Sequence, residues 1–211
     1  MPDESSEARR RGLMEKIVLL FMHEGLSHQT MEGIAGNIGI SKRTLYKYFP
    51  NKDLLIDTVV RYKLESIEAQ VLELLASEKP FLDRLVGFFV IIEKALKPMQ
   101  STLLTDIVRN APWIWTRIDE FRHSRILVHL EAILREGHER GHLRSDIDVS
   151  VVSPIYMAII EQVGRPEVVS KLNIPPSRLM EAVLDVMLGG VLSEQGRRAF
   201  EERRKEESRH D

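Results

Sequence analysis

The feature that most constrains this chain is a glycine between two short helical patterns near its N-terminus. Apolar residues of the first pattern, TMEGIAGNI, fall at helical spacing on one side: Met31, Ile34, Ala35 and Ile38. In the second pattern, Leu45 and Phe49 lie four residues apart, again on one helical face. Thr30 and Ser41 are typical N-caps, and Gly39 suits the left-handed backbone that ends a helix. The spacing predicts two helices joined by a tight turn, a helix-turn-helix.

The second of these helices has a one-sided charge distribution. The stretch GISKRTLYKYFPNK, residues 39–52, carries four basic residues and two tyrosines, and no acid before Asp53. In a helix-turn-helix the second helix enters the major groove of DNA, where basic side chains displace counterions from phosphate. The net charge of the whole chain is only −2. The local distribution of charge, rather than its sum, therefore indicates a nucleic-acid surface.

These residues resemble the TetR family of bacterial transcriptional regulators. The resemblance covers roughly residues 9–60 and rests on many spaced positions rather than on one dipeptide. The matching positions are Phe21, Gly25, Thr30, Ile34, Ala35, Gly39, Thr44, Leu45, Tyr46, Phe49, Lys52 and Leu55. Ile17 and Val18 depart from the family's usual alanines, which changes packing. Arg43 stands where the family often has glycine, a change that could alter base preference.

The docking geometry of the motif assigns a role to each exposed residue. The residues expected to contact DNA are Thr30, Ser41, Lys42, Arg43, Thr44, Tyr46, Lys47, Tyr48 and Lys52. Lys42, Arg43 and Tyr46 lie in the first turns of the second helix and are expected to reach base edges. Thr30, Thr44, Tyr48 and Lys52 are expected to hold phosphates instead. The alternatives are a solvated basic helix face and tyrosines that pack on a neighbouring helix.

The rest of the chain predicts an all-α fold. An N-terminal three-helix helix-turn-helix DNA-binding domain is followed by a larger helical ligand-binding and dimerisation domain, as the family resemblance implies. We assign residues 1–52 to the first domain, 53–194 to the second and 195–211 to a charged, frayed helical C-terminal tail. No alternating strand pattern appears between the helical segments, which prolines and glycines separate.

The middle helices carry candidates for a pocket that binds a small-molecule effector. These are Phe89, Ile92, Glu93, Leu103, Ile107, Trp115, Ile118 and Phe121. The apolar members are equally suited to an ordinary core. Glu93 continues an apolar stripe and is a candidate pocket carboxylate for a cationic ligand. The alternative is an acid that reaches solvent or pairs with Lys97.

Two late helices present apolar stripes that are candidates for a homodimer interface. Their members are Val152, Ile155, Tyr156, Ile159, Ile160, Val163, Met180, Val183, Leu184 and Met187. The alternative is that both stripes close the core of a single chain. Resemblance to the family, in which the last two long helices pair into a four-helix interface, favours the dimer. A two-fold dimer also suits a palindromic operator in double-stranded DNA.

Several other classes of function find no support in the sequence. The chain has no cysteine, so it has no disulfide framework and no thiolate site. His138 and His142 have the spacing of a helical metal pair, but Gly141 is expected to end the helix between them and no third ligand is in view. We find no nucleophile with its base and no glycine-rich phosphate loop. No enzyme activity, cofactor or metal is therefore expected.

The N-terminus and the apolar runs predict a cytoplasmic chain. Residues 1–11, MPDESSEARRR, lack the apolar core of a signal peptide, and the longest strictly apolar runs are far shorter than a membrane span. The sequence as a whole predicts a ligand-responsive transcriptional regulator, a repressor on family grounds, that a small molecule releases from a palindromic operator. The alternative is a helix-turn-helix regulator whose large domain binds a protein partner and no small molecule.

Overall fold

The described part of the chain is mostly helical. The computed structural model describes residues 4–96, 101–163, 165, 168, 174 and 176–207, and none of these belongs to a β-strand. The helices are α1 (Glu4–Glu24), α2 (Met31–Ile38), α3 (Lys42–Tyr48), α4 (Lys52–Ala76), α5 (Phe81–Leu96), α6 (Ser101–Asn110), α7 (Trp113–Phe121), α8 (Leu127–Glu139), α9 (Val149–Val163), α10 (Pro176–Val191) and α11 (Glu194–Glu207). The all-α prediction is confirmed. Among the described helices, none combines the length and the apolar character that a membrane span requires.

The structure divides into two compact units, and the chain passes between them more than once. The first unit, which we call the head, holds α1 to α3, α4 up to Ser66, α6, and α7 up to Ile118. The second unit, the body, holds α4 from Ile67, α5, the end of α7 and α8 to α11. The sequence predicted a boundary at residue 52. The units divide within α4 instead, and α6 joins the head because its apolar side chains are buried there.

The core of the head forms around the helix-turn-helix. Ile17 of α1, Ile34 of α2, Leu45 of α3 and Leu55 of α4 are all fully buried in one cluster. Ile107 of α6 is 3% exposed in the same cluster. Each fully buried aliphatic side chain contributes about 1.5–3 kcal/mol relative to an exposed one. The two short helices α2 and α3, which have little stability of their own, are therefore held by α1, α4 and α6.

A buried carboxylate ties α6 to the turn between α1 and α2. Asp106 is only 7% exposed. It accepts hydrogen bonds from the backbone amides of Leu26 at 2.7 Å and Ser27 at 2.9 Å, and from the Ser27 hydroxyl at 2.5 Å. Asn110, one turn later, donates to the same hydroxyl at 2.6 Å. Burial alone would raise the pKa of Asp106, but these donors and nearby His28 outweigh it, so the pKa lies below its usual value.

The body has its own apolar core and its own buried ion pair. Phe88 and Phe89 of α5 are fully buried and meet edge to face, with ring centroids 5.4 Å apart. Arg84 of α5 pairs with Glu136 of α8 and also donates to the carbonyl of Lys79 at 3.1 Å. Between these contacts, Gly137 of α8 lies against the Phe81 ring so closely that a side chain there would clash. The body thus packs α5 directly on α8.

The joint between α7 and α8 and the C-terminal tail are both helical. The backbone continues from α7 into α8 through a π-helical turn, Arg122–Ile126, because no glycine or proline intervenes. The predicted frayed tail begins instead as an ordered helix, α11. The Ser193 hydroxyl accepts from the Gly196 amide at 3.0 Å and donates to the Gly141 carbonyl at 2.7 Å. Phe200 packs against the body core.

Replacing Asp106 tests the tie between α6 and the head. Asp106→Asn should destabilise the protein by about 1.5–3 kcal/mol at neutral pH, because a charged acceptor of several hydrogen bonds is lost. The lowered pKa of Asp106 means that this stability is complete above the unfolded value of about 3.9 and disappears as pH falls through the folded value. Urea unfolding between about pH 7 and pH 3 measures it. Glu65→Gln, an exposed control in the head, should change stability by less than about 0.5 kcal/mol. If Asp106→Asn were as stable as wild type at neutral pH, Asp106 would not hold α6 to the turn between α1 and α2.

Candidate nucleic-acid interface

The turn between α2 and α3 is fixed by side-chain caps and one left-handed glycine. The Thr30 hydroxyl accepts from the Gly33 amide at 3.0 Å, and the Ser41 hydroxyl accepts from the Thr44 amide at 3.1 Å. Gly39 adopts φ 75° and ψ 36°, a conformation that glycine reaches without steric cost. The predicted caps of both helices are confirmed. The Ser41 hydroxyl also shares a hydrogen bond with the Thr44 hydroxyl at 2.8 Å.

Helix α3 has a buried face and an exposed face. Leu45 is fully buried and Phe49, the residue after the helix, is 2% exposed. Their burial turns the opposite face to solvent. Lys42, Arg43, Tyr46, Lys47 and Tyr48 are exposed, and Thr44 is half-buried. The basic and aromatic residues of the motif therefore share one accessible surface, which we call the recognition face.

An acidic residue of α2 also stands on the recognition face. The Glu32 carboxylate forms an ion pair with the Lys42 ammonium, which lies 5.7 Å from the centroid of the Tyr46 ring. The bond from Lys42 lowers the pKa of Glu32, and the same bond raises the pKa of Lys42. Both side chains stay charged at neutral pH. Lys42, which is predicted to read bases, thus pairs with Glu32 and lies near the ring of Tyr46.

Lys52 has a structural partner in addition to its predicted role. Its ammonium donates to the Leu26 carbonyl at 2.6 Å, in the same turn that Asp106 holds through the amides. A lysine has three donors, so two remain for other acceptors. The sequence predicted a phosphate contact for Lys52 and gave no signal for this bond, because the two residues are 26 positions apart.

A groove beside the recognition face is lined by residues of both α1 and α3. It has a volume of about 390 Å³ and is lined by two basic residues of α1, Arg9 and Lys16, and by the hydroxyl residues Ser41, Thr44 and Tyr48. Cations and hydroxyl donors around one concave surface are suited to an anion such as a phosphate group. Lys16 was missed by the sequence analysis, since only the fold places it beside Ser41.

The predicted pocket residues do not fall in one core. Leu103 and Ile107 are buried in the head, where Trp115 and Ile118 pack against the same cluster. Phe89 is buried in the body, and Ile92 and Phe121 pack against the body core. Glu93 is half-buried. The sequence pattern could not separate these sets, because both are apolar stripes at helical spacing.

The predicted dimer stripes are split between the body core and its surface. Ile155 and Ile159 of α9 are 51% and 37% exposed. The remaining members lie inward: Ile160, Val183 and Met187 are buried, and Val152, Tyr156, Val163 and Leu184 pack partly against the core. The side chain of Met180 lies outside the described residues. Within the chain, the Tyr156 hydroxyl donates to the Met187 carbonyl at 3.3 Å, which pairs α9 with α10.

One histidine of the EGHERGH segment, His142, has a packing role. The His142 ring stacks on Phe81 with centroids 5.2 Å apart and planes inclined by 7°. Gly141, at φ 74°, follows the end of α8. In the described ranges, no three histidine, aspartate or glutamate side chains are grouped as a metal site would require.

Known proteins similar to this chain share both its motif and its fold. The family model of bacterial regulatory proteins of the tetR family matches residues 13–59. An uncharacterized HTH-type transcriptional regulator of Bacillus subtilis, YvaF, is 25% identical over 83% of this chain and 92% of its own length. The HTH-type transcriptional repressor KstR2 of Mycobacterium tuberculosis is 27% identical over 69% of this chain and 74% of its own.

Two further comparisons concern a solved structure and a different kind of relative. The structure of the ketosteroid transcriptional regulator KstR2 of Mycobacterium tuberculosis matches 88% of this chain and 96% of its own with a TM-score of 0.53 and 25% identity. The nucleoid occlusion factor SlmA of Photorhabdus laumondii is 24% identical over 88% of this chain and 97% of its own. Together with the capped helix-turn-helix and the all-helical fold, these matches show that residues 13–59 form a DNA-binding domain of the TetR family of bacterial transcriptional regulators, in a chain that is similar over most of its length to regulators of transcription.

Proposed function

We propose that the protein is a repressor that binds a palindromic operator as a homodimer and is released by a small molecule. The observation that carries the DNA-binding part is the recognition face. Its exposed cations and tyrosines surround a helix whose other side is fixed in the head core. The name of KstR2, a repressor, supports the direction of regulation. Binding to an operator would place the protein with the chromosome, in the cytoplasm.

On this proposal the nine predicted DNA contacts divide by position. Lys42, Arg43 and Tyr46 lie on the first two turns of α3 and read bases. Thr30, Ser41, Thr44, Lys47, Tyr48 and Lys52 donate to phosphates, and Arg9 and Lys16 extend this set through the groove. Lys52 donates to a phosphate with one N–H while another N–H donates to the Leu26 carbonyl.

The exposed apolar faces of α9 and α10 support assembly with a second copy. Val151, Ile155 and Ile159 are 53%, 51% and 37% exposed at intervals of four residues, so they form one stripe on α9. Val186 of α10 is 72% exposed. Apolar surface of this kind is stabilised by burial. A second copy is the proposed partner, because a two-fold dimer matches an operator whose half-sites lie in successive major grooves, about 34 Å apart.

The covalent layout of the units supports release by a small molecule. The chain leaves the head within α4, returns to it for α6 and leaves again within α7. Any rearrangement in the body therefore pulls on the head at several places, one of them held by Asp106. KstR2 is a ketosteroid transcriptional regulator, which makes steroids the first ligand class to test. The predicted pocket residues of the body, Phe89, Ile92, Glu93 and Phe121, are the side chains to vary.

The second candidate function is a regulator whose body binds a protein and no small molecule. The relative SlmA favours it, because SlmA is a nucleoid occlusion factor, a description that refers to no small molecule. The two functions share the recognition face and differ in the body. A response of DNA binding to small molecules separates them.

Charge removal on α3 tests the recognition face. The operator is first recovered by selecting duplexes from a random library with the pure protein. Lys47→Ala should weaken binding to operator and scrambled duplexes alike, by about five-fold per subunit at about 0.15 M salt, and should reduce the salt slope by about 0.9 per subunit. Tyr46→Ala should change the preferred sequence and leave the slope unchanged. Fluorescence titration at several salt concentrations measures both. Lys94→Ala, an exposed lysine of the body, is the control, and wild-type behaviour of both α3 variants would exclude this face.

Charges on the exposed stripe test the dimer. Ile155→Glu and Val186→Glu should give monomers that fold normally, because both side chains are exposed in the single chain but would be buried without a partner in a dimer. Sedimentation equilibrium measures the mass. Val128→Glu is the matched control, since Val128 is 56% exposed on α8. Val183→Glu is unsuitable, because Val183 is 8% exposed and its loss would test folding. Dimers of unchanged stability in both stripe variants, or a monomeric wild type, would refute the interface.

Ligand coupling distinguishes the two candidate functions. A steroid library is screened by thermal shift, because a ligand of the folded state raises the melting temperature. A hit should weaken operator binding by about 5- to 150-fold at saturation, and operator should weaken binding of the hit by the same factor. Phe89→Ala is expected to reduce the shift. A hit that leaves operator affinity unchanged would contradict release, and a library without hits would favour the protein-partner function.

A further inference from the structure

Glu32 is an acid on a surface that is otherwise basic. It lies in the first turn of α2, and its side chain is 52% exposed. The ion pair with Lys42 bridges α2 and α3, and Lys42 itself is 59% exposed. Neither side chain is needed to fill the head core. The pair therefore has its effect on whatever approaches the recognition face.

A carboxylate at this position opposes binding to DNA of any sequence. Phosphate groups repel it, and its partner cation is no longer free to displace a counterion. An unpaired Lys42 would be a flexible point charge able to reach a phosphate on any duplex. Held by Glu32, its ammonium lies instead beside the Tyr46 ring. In that position it can donate to guanine O6 or N7 when the matching base is present.

We propose that Glu32 is a specificity-determining residue, which keeps the Lys42 ammonium beside Tyr46 and away from backbone phosphates. Non-operator DNA then gains no phosphate contact from Lys42, whereas an operator with the matching base gains a base contact. Glu32 weakens non-specific binding more than operator binding. The inference rests on the proposed role of the recognition face.

Glu32→Gln tests the inference, because glutamine is nearly the same size and has no charge. The full-length variant should bind a scrambled duplex about five-fold more tightly per subunit at about 0.15 M salt, with a salt slope steeper by about 0.9 per subunit, as expected for one more phosphate contact. Operator affinity should change less, so the ratio of the two affinities falls. Glu65→Gln removes an exposed acid elsewhere in the head and should change neither.

The partner residue supplies the second arm. Lys42→Met, which keeps an unbranched apolar stem, should weaken operator binding and leave the affinity and salt slope on the scrambled duplex unchanged. Glu32→Gln added to Lys42→Met should then have no further effect on the scrambled duplex. All four proteins should melt at the same temperature, since both side chains are exposed.

Other results would overturn the inference. Equal tightening by Glu32→Gln with and without Lys42 would mean that Glu32 repels DNA as a bare charge. If Glu32→Gln does not tighten binding to the scrambled duplex, either alone or combined with Lys42→Met, then Glu32 does not restrain Lys42. A changed base preference in Glu32→Gln would make Glu32 a reader of bases itself. Tyr46→Ala in the same titrations separates failure of the recognition face from failure of this inference: only the former leaves operator binding insensitive to Tyr46.

Discussion

Burial of Leu45 and Phe49 is the constraint on which the recognition face depends. Helix α3 is only seven residues long, too short to persist in water by its own hydrogen bonds. Its inner face packs into a cluster with α1, α2 and α4. The turn at Gly39 ends α2, and the Ser41 cap begins α3 two residues later. The direction of every outward side chain on α3 follows from this packing.

The turn between α1 and α2 is held from two sides by side chains distant in sequence. Asp106 of α6 accepts from the amides of Leu26 and Ser27, and Lys52 of α4 donates to the Leu26 carbonyl. Both α4 and α6 continue toward the body along the chain. The groups that shape the head are thus carried by helices close to the points where the chain passes between head and body. This arrangement gives a proposed effector a mechanical route to DNA affinity without any contact between ligand and DNA.

The local chemistry of the helix-turn-helix could be predicted from the sequence. Thr30, Gly39 and Ser41 contact neighbours within five residues, so the caps and the turn could be predicted from the local sequence. Contacts over long separations were not. Asp106 was one residue in a predicted pocket helix, and nothing near it in the sequence indicated a contact with Ser27, which is 79 positions away. Leu103 and Phe89 look alike in sequence yet lie in different cores. The sequence did not distinguish the inward from the outward positions of the dimer stripes, because α9 and α10 carry apolar residues on both their buried and their exposed sides.

Selection of bound duplexes from a random library by the pure full-length protein tests the central claim, that a two-fold pair of α3 helices reads a specific sequence. The account predicts one enriched motif with two inverted half-sites whose centres lie about 10 base pairs, or a multiple of one helical turn, apart. It also predicts that positions within each half-site, opposite the first turns of α3, are the most strongly specified. A library that emerges without enrichment, or with a single asymmetric site, would contradict it.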